Sequence, residues 1–406
     1  MNMRHHRTTS LLVFLLLLLG WTAVEATEVI RARDLGIPFE GQPGPWNAIT
    51  DVAGVEVGHV TLIKGEGLLE VGSGPVRTGV TAIHPRGKNS LDPVFAGWFT
   101  LNASGEMTGT TWLEERGLVD GPVAITNTHS VGVVRDATVA WMVKRKWPAD
   151  WHAPVVAETF DGGLNDINGF HVTREHALRA MRSAKPGRVT EGVVGGGTGM
   201  VCNGFKGGIG TSSREIEASG RQFTVGVLVQ CNYNWNGDGL RLGGKMVADK
   251  LPVGKHCFTD RAIKRHVNWY PYCDESKDDK LEAATRDGSI IVVVATDAPL
   301  LPHQLRRLAK RPALGLGRLG AISGDGSGDI FIAFSTANPS VISENDHSGV
   351  TMYPNNGLST VFEATVHATE EAIVNAMVAA DTVVGASGLR VNAISEEQLR
   401  LIFLSR

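Results

Sequence analysis

Two serines in this chain stand directly before short apolar runs, where the start of a strand would hold a side chain in a fixed position. Ser289 follows Gly288 and opens a β-branched run, and Ser327 lies two residues before Asp329 at the start of the run 330–334. A serine hydroxyl becomes a nucleophile when a neighbouring base takes its proton. Turn chemistry alone would explain both serines as structural. A catalytic role therefore needs support from the rest of the chain.

Other patterns that carry chemistry are weaker. His171 and His176 are five residues apart, and His367 is followed by Ala-Thr-Glu-Glu, so no helix has the histidine spacing of a zinc site. The glycine run 315–320 matches the dinucleotide fingerprint, but a predicted helix precedes it instead of a strand, and the run 195–199 lacks the third glycine. We therefore expect no metal and no cofactor, and interpret these glycines as places where backbones approach closely.

Gly326-Ser327-Gly328 is the nearest approach to the nucleophile elbow of a Ser-His-acid hydrolase. In that motif the serine leads from a strand into a helix. Here it leads into a predicted strand, which argues against an elbow.

The N-terminus predicts export. Arg4 and Arg7 precede the apolar run 11–20, and Val24-Glu25-Ala26 supplies small residues for a signal peptidase, so residues 1–26 are interpreted as a secretory signal; a retained anchor is the alternative. Removing them takes away two arginines and one glutamate, which moves the formal charge from −3 to −4. No concentrated basic face suggests nucleic-acid binding. We expect a soluble periplasmic or secreted protein with no membrane segment after signal removal.

Apolar periodicity predicts a mixture of strands and helices. The best helix spans 360–379, with Thr360 and Glu363 spaced as a capping box. A strand is expected to begin at Ser289. Strands and helices do not alternate regularly, which favours sheet layers covered by helices over a doubly wound sheet. The other predicted elements are helices at 172–182 and 302–310 and strands at 123–125, 224–229 and 330–334.

Residues 237–287 are crowded with charge and lack apolar periodicity, which predicts an exposed connector. Cys202 and Cys231 lie in apolar stretches and are predicted to be buried thiols. Cys257 and Cys273 flank a polar segment, and we hypothesise that they form a disulfide in an oxidising compartment, although spacing alone does not decide it.

A chain-wide set of segments resembles one known family. These segments are 31–36 (RARDLG), 79–83 (GVTAI), 105–109 (GEMTG), 126–132 (TNTHSVG), 155–169, 195–199 (GGGTG), 288–302 and 326–331 (GSGDIF). The chain is identified as a member of the self-processing L-aminopeptidase/D-esterases and β-peptidyl aminopeptidases. The resemblance implies an α+β fold, an αββα sandwich of the N-terminal-nucleophile hydrolase type. It also implies an α chain of residues 27–288 and a β chain of residues 289–406, with an inserted connector at 257–284.

The resemblance assigns roles to five residues. The chain would cut itself between Gly288 and Ser289, and Ser289 would become the nucleophile, its own α-amine acting as the base. Ser327 and Asp329 resemble the family's second serine and its acidic partner, and both are expected to face the nucleophile. Asn232 matches the residue that stabilises the oxyanion.

The same resemblance predicts how substrate binds. Glu158 matches the carboxylate that holds a substrate's free amine, and Trp151 and Met107 are expected to wall an apolar pocket. Phe160 stands where we expect a tyrosine in the L-aminopeptidase/D-esterases, and the missing hydroxyl implies a slower enzyme or other substrates. The implied substrates are small peptides, amino-acid amides or esters, and the implied assembly is a homotetramer.

Two alternative functions are weighed. An acyl transferase of the ornithine acetyltransferase type also cleaves itself, but before a threonine and in the cytoplasm. A non-catalytic exported binding paralogue would keep the pocket without turnover.

Overall fold

The β-branched runs of the sequence form the strands of the structure, a computed structural model that describes residues 30–218, 220–274, 287–341 and 349–404. The strands are β1 (Glu56–Lys64), β2 (Val76–His84), β3 (Val94–Thr100), β4 (Leu118–Val119), β5 (Val123–Asn127), β6 (Val156–Thr159), β7 (Val201–Cys202), β8 (Phe205–Lys206), β9 (Gly208–Ala218), β10 (Arg221–Asn232), β11 (Arg241–Leu242), β12 (Lys245–Met246), β13 (Cys257–Phe258), β14 (Ser289–Thr296), β15 (Gly328–Ser335), β16 (Val383–Val384) and β17 (Leu389–Val391). The helices are α1 (Thr110–Arg116), α2 (Val131–Lys144), α3 (Arg174–Ser183), α4 (Pro302–Leu308), α5 (Pro312–Arg318), α6 (Leu358–Val378) and α7 (Glu396–Phe403).

Two sheets stack face to face between two layers of helices. One sheet has the order β1-β2-β5-β6 and the other has the order β4-β3-β15-β14-β10-β9. Side chains such as Ile125 and Ile291 fill the space between the sheets. Helices α2 and α3 cover the outer face of the four-stranded sheet, and α4, α5 and α6 cover that of the six-stranded sheet. The predicted αββα sandwich is therefore confirmed.

The central strand β14 begins at Ser289, as predicted, and all eight of its residues are buried. It pairs antiparallel with β10 and parallel with β15. A strand buried on both faces explains the unbroken β-branched run. The other predicted strands, at 123–125, 224–229 and 330–334, fall inside β5, β10 and β15.

The predicted helices form, but one start differs from the prediction. Helix α6 begins at Leu358, so Thr360 and Glu363 lie inside its first turns and make no capping box. A short 3-10 turn at Asn355–Gly357 already directs the chain into the helix, and Leu358 is buried. Within the described ranges, no helix is both long and apolar enough to cross a membrane. The predicted signal at 1–26 lies outside the described residues.

The region predicted as an exposed connector is partly core. Leu240, Leu242 and Val247 are fully buried in the cluster that packs α6 on the six-stranded sheet. Strand β13 pairs with β17 in a small separate sheet. Isolated apolar residues between glycine turns leave no periodic pattern, which is why the prediction was wrong here. Residues 275–286, where charges are most concentrated, lie outside the described ranges.

The cysteines form two disulfides. Cys257 and Cys273, with Cα atoms 4.8 Å apart, are joined as hypothesised. Cys202 and Cys231 are buried, as predicted, but they too are joined, with Cα atoms 5.6 Å apart. The prediction of free thiols was wrong because β7 lies beside the end of β10, a proximity between distant parts of the chain that spacing does not reveal.

Candidate active site

Three chain segments meet at the start of β14. Ser289 is opposite Asn232, the last residue of β10, and opposite Gly328, the first residue of β15. A Cβ atom at position 328 would lie 3.0 Å from the Ser289 Oγ, so the glycine leaves room for the hydroxyl. The two neighbouring strands, β10 and β15, therefore hold Ser289 in place at the end of the central strand.

Ser289 opens into a pocket of about 510 Å³ between the two sheets. The residues that line it are Ser104, Gly105, Glu106, Thr128, Glu158, Phe160, Trp235, Trp269, Asp287, Gly288, Ser289 and Gly326. The structure thus brings the predicted nucleophile, Glu158 and Phe160 into one cavity. A concave apolar pocket with a few polar groups is the usual form of a small-molecule site.

Glu158 is the most deeply buried of the three acidic residues that line this pocket, the others being Glu106 and Asp287. It lies on β6 of the opposite sheet and is 3% exposed. One carboxylate oxygen accepts a hydrogen bond from the backbone N–H of Glu106 at 2.9 Å, and the other accepts one from the Thr128 hydroxyl. Burial raises the pKa of Glu158, and the Thr128 hydrogen bond opposes that rise. Among the described residues Glu158 forms no ion pair.

Asn232 is oriented by both ends of its amide. Its Oδ1 accepts a hydrogen bond from the Val201 N–H at 2.9 Å, and its Nδ2 donates one to the Phe160 carbonyl at 2.8 Å. Because Nδ2 carries two hydrogens, a second donor is left for another acceptor. Asn232 is completely buried, so this amide cannot rotate freely.

The peptide bond before Ser289 is also held in place. Gly288 has a φ of +136°, and a Cβ there would lie 2.2 Å from the Asn232 carbonyl oxygen. Its carbonyl accepts a hydrogen bond from the Gly328 N–H at 2.9 Å. A donor on this carbonyl would stabilise negative charge that develops on its oxygen.

Ser327 and Asp329 lie at the start of β15, next to the start of β14. The Ser327 hydroxyl donates to Asp329 Oδ1 at 2.9 Å, and the Asp329 carboxylate accepts from the backbone N–H of Ile290. Burial raises the pKa of Asp329. Strand alternation puts Asp329 on the same face as Phe331, whereas Ser289 shares the face of Ile291. The structure therefore differs from the expectation that Asp329 faces the hydroxyl of Ser289 from within the sheet, while the role predicted for Ser327 stays a prediction.

Two predicted pocket residues lie elsewhere. Trp151 is 57% exposed and packs against Trp112, with ring centroids 5.0 Å apart. Met107 is buried in the core between the sheets, opposite Ala157. Neither lines the pocket, because Trp151 sits in a surface loop and Met107 points into the intersheet core.

Several residues that line the pocket were not predicted, among them Thr128, Trp235 and Trp269. Thr128 lies within the segment 126–132 that resembles the family, and its contact with Glu158 spans 30 residues. Trp235 and Trp269 belong to the region predicted to be a connector or to flank it. The aromatic residues between Cys257 and Cys273 were the available signal for Trp269.

The glycine runs serve packing. Residues 195–199 form one 3-10 turn in which a Cβ at Gly196 would lie 2.1 Å from the Gln230 side chain. Gly315 lies in α5 against Thr369 of α6. In the described part of the chain, no three His, Cys, Asp or Glu side chains are grouped as a metal site would require.

Known proteins are similar to this chain in fold and in sequence. Residues 47–391 match peptidase family S58. The chain is 58% identical over 379 residues, 92% of this chain and 91% of the relative, to the β-peptidyl aminopeptidase BapA of Sphingosinicella microcystinivorans. Among solved structures, a Burkholderia sp. β-aminopeptidase is 45% identical with a TM-score of 0.78, covering 92% of this chain and 98% of that one.

A second solved structure is the L-aminopeptidase D-Ala-esterase/amidase of Ochrobactrum anthropi, described as a variant of the Ntn hydrolase fold. It is 46% identical with a TM-score of 0.80, and the match covers 92% of this chain and 97% of that one. Family, fold and relatives agree with the pocket around a strand-opening serine. The chain therefore belongs to peptidase family S58 and is a serine-type aminopeptidase.

Proposed function

We propose that this chain cuts itself between Gly288 and Ser289. The Ser289 hydroxyl oxygen attacks the Gly288 carbonyl carbon, the C–N bond breaks, and the nitrogen takes up the proton as an ester forms. Water then hydrolyses the ester, which leaves the Gly288 carboxylate and a free α-amine on Ser289. The hydrogen bond from the Gly328 N–H to the Gly288 carbonyl supports this step, because it would stabilise the negative charge that develops on the attacked oxygen.

The mature enzyme would use the same oxygen on substrates. An α-amine has a reference pKa of about 8, so at neutral pH a useful fraction of the Ser289 amine can accept the hydroxyl proton. The free hydrogen of Asn232 Nδ2 would stabilise the oxyanion of the attacked carbonyl, an effect of roughly 3 kcal/mol in typical enzymes. The acyl-enzyme ester is then hydrolysed by water.

A single observation carries the proposal: the Glu158 carboxylate and the Ser289 hydroxyl share one pocket. A buried carboxylate without an ion-pair partner would bind a substrate's ammonium group, and only the first residue of a peptide presents an ammonium next to its scissile bond. The enzyme would therefore release N-terminal amino acids from small peptides, amides or esters.

We propose N-terminal β-amino acids as the preferred substrates, because the two β-aminopeptidase relatives are named for them. The test compares para-nitroanilides of β-alanine and L-alanine with N-acetyl-β-alanine para-nitroanilide. We expect hydrolysis of the free-amine compounds, fastest for β-alanine, and none of the blocked one. Equal rates on blocked and free β-alanine would contradict a role for Glu158 in binding an amine.

Export and assembly belong to the same proposal. The basic residues and apolar run within 1–26 support secretion, and two disulfides suit an oxidising compartment. The family resemblance supports a homotetramer of cleaved protomers. N-terminal sequencing of the secreted protein would test signal removal, and its sedimentation would test assembly through the mass of the particle.

A further inference from the structure

Three aromatic side chains form a continuous row along one side of the pocket. The ring centroids of Phe160 and Trp235 are 6.2 Å apart with nearly parallel planes, and those of Trp235 and Trp269 are 5.1 Å apart. All three are half-buried and line the cavity that holds Ser289. They present apolar area that a bound molecule could cover.

This row is fixed by contacts outside the cavity. The indole N–H of Trp235 donates to the backbone carbonyl of Asn232 at 3.1 Å. Trp269 lies on the segment 257–273, which the Cys257–Cys273 disulfide closes and which β13 ties to β17. Phe258 of that segment is fully buried, so the segment is anchored at its base. An ordered aromatic wall costs less entropy on binding than a mobile one.

The position of Phe160 indicates which part of a substrate would contact the row of aromatic side chains. Phe160 lies two residues after Glu158, and its own carbonyl accepts the hydrogen bond from Asn232 Nδ2. Its ring therefore flanks the path between the group that would hold the ammonium and the group that would hold the oxyanion. A substrate whose amine contacted Glu158 and whose scissile carbonyl lay at Ser289 would place the side chain of its first residue next to this ring.

We infer that Phe160, Trp235 and Trp269 form the binding surface for the side chain of the released amino acid and select large apolar, preferably aromatic, side chains. The inference rests on the proposed function. The disulfide-closed segment 257–273 thereby becomes a specificity element, since it places Trp269 at the far end of the row.

The test measures kcat/KM for two para-nitroanilides, one of β-alanine and one of β-homophenylalanine. In Trp269→Ala, we expect about a tenfold loss for β-homophenylalanine, mainly through KM, and a change within about twofold for β-alanine. Trp269→Phe should keep most of the selectivity because it retains a ring. Trp46→Ala is the matched control, since Trp46 is 47% exposed and does not line the pocket. This variant should leave kcat/KM unchanged for both substrates.

A double variant, Cys257→Ser with Cys273→Ser, tests the part played by the segment. It should show the same selective loss as Trp269→Ala, and adding Trp269→Ala to it should cause no further loss. Unchanged selectivity in the double variant would overturn the role of the disulfide. Should the double variant fail to fold, Trp269→Ala decides the question on its own.

Equal losses on both substrates in Trp269→Ala, or no loss on either, would overturn the inference while the proposed function stands. A wild-type protein that hydrolyses neither substrate would overturn the proposed function together with the inference. N-terminal sequencing of each variant shows that Ser289 is exposed, so that a defect in self-cleavage is not mistaken for one in binding.

Discussion

At the scale of single residues, Glu158 is the side chain that we propose recognises the substrate's amine. Its carboxylate is buried, accepts two hydrogen bonds and lacks a cationic partner among the described residues. Leaving such a charge buried costs several kcal/mol unless a ligand pairs with it. In the proposed function, a substrate ammonium would pair with this carboxylate.

Replacing Glu158 with Gln should lower kcat/KM for β-alanine para-nitroanilide by about 100-fold, because loss of a buried charge pair costs on the order of 3 kcal/mol. Self-cleavage should survive, since that reaction has no ammonium to bind. Gel analysis and initial rates on the same sample would measure both. Wild-type activity of the cleaved variant would remove Glu158 from the site.

The pH dependence of kcat/KM should reflect the ionisation of the Glu158 carboxylate. Only its ionised form pairs with an ammonium, and burial raises its pKa, so below the pH at which protonation of the Ser289 amine already reduces activity, a further acid limb should appear at values above the roughly 4.3 of an exposed glutamate. The Thr128 hydrogen bond lowers that pKa, so Thr128→Val should move the acid limb to still higher pH. An acid limb that does not move in Thr128→Val would argue that another group controls it.

At the scale of elements, the proposed self-cleavage depends on the junction of Gly288 with β14. Replacing Gly288 with Ala would put a Cβ 2.2 Å from the Asn232 carbonyl oxygen at a φ of +136°. We expect cleavage to slow by at least about tenfold, with a loss of roughly 1–3 kcal/mol in stability from the strained backbone. The accumulation of cleaved chains after synthesis would be followed on a denaturing gel.

Gly192→Ala is a matched control for that variant. It has a positive φ of 78°, and a Cβ there would lie 2.1 Å from the Ala379 carbonyl oxygen, but Gly192 does not line the pocket. It should lose stability and still cut itself. Equal cleavage defects in both variants would mean that general destabilisation, and not the junction, slows the reaction.

Elements were predictable where one local signal dominated. The run after Ser289 is β-branched and buried on both faces, so β14 was predicted from its first residue. The start of α6 was missed because a 3-10 turn, which has no strong sequence signal, replaced the expected capping box. The face of Asp329 was missed because it depends on the register of β15 against β14, which pairs residues far apart in the chain.

At the scale of the whole molecule, the two sheets bring distant segments to one pocket. Ser289 and Asn232 come from one sheet and Glu158 from the other. The family resemblance named these three residues, but local pattern alone could not have joined them. Trp235 and Trp269 were not predicted, because a region without periodicity reaches the pocket through a disulfide-closed segment.

The disulfide pairing can be tested across the whole chain. We expect protein secreted through its own signal and denatured without reductant to show no alkylated cysteine, and peptide mapping to pair Cys202 with Cys231 and Cys257 with Cys273. Cys202 and Cys231 flank the hydrogen bond from the Val201 N–H to Asn232, so their pairing would brace the oxyanion amide. Alkylation at either pair in such a sample would contradict that pairing.

The most direct test of the account is the N-terminal sequence and intact mass of the purified protein. We predict two chains, the first ending at Gly288 and the second beginning with Ser289, both required for hydrolysis. Ser289→Ala should give one uncut, inactive chain because it lacks the attacking oxygen of both reactions, whereas Ser289→Cys should still cut slowly. A second chain that begins at any other residue, or full activity in an uncut chain, would contradict the account.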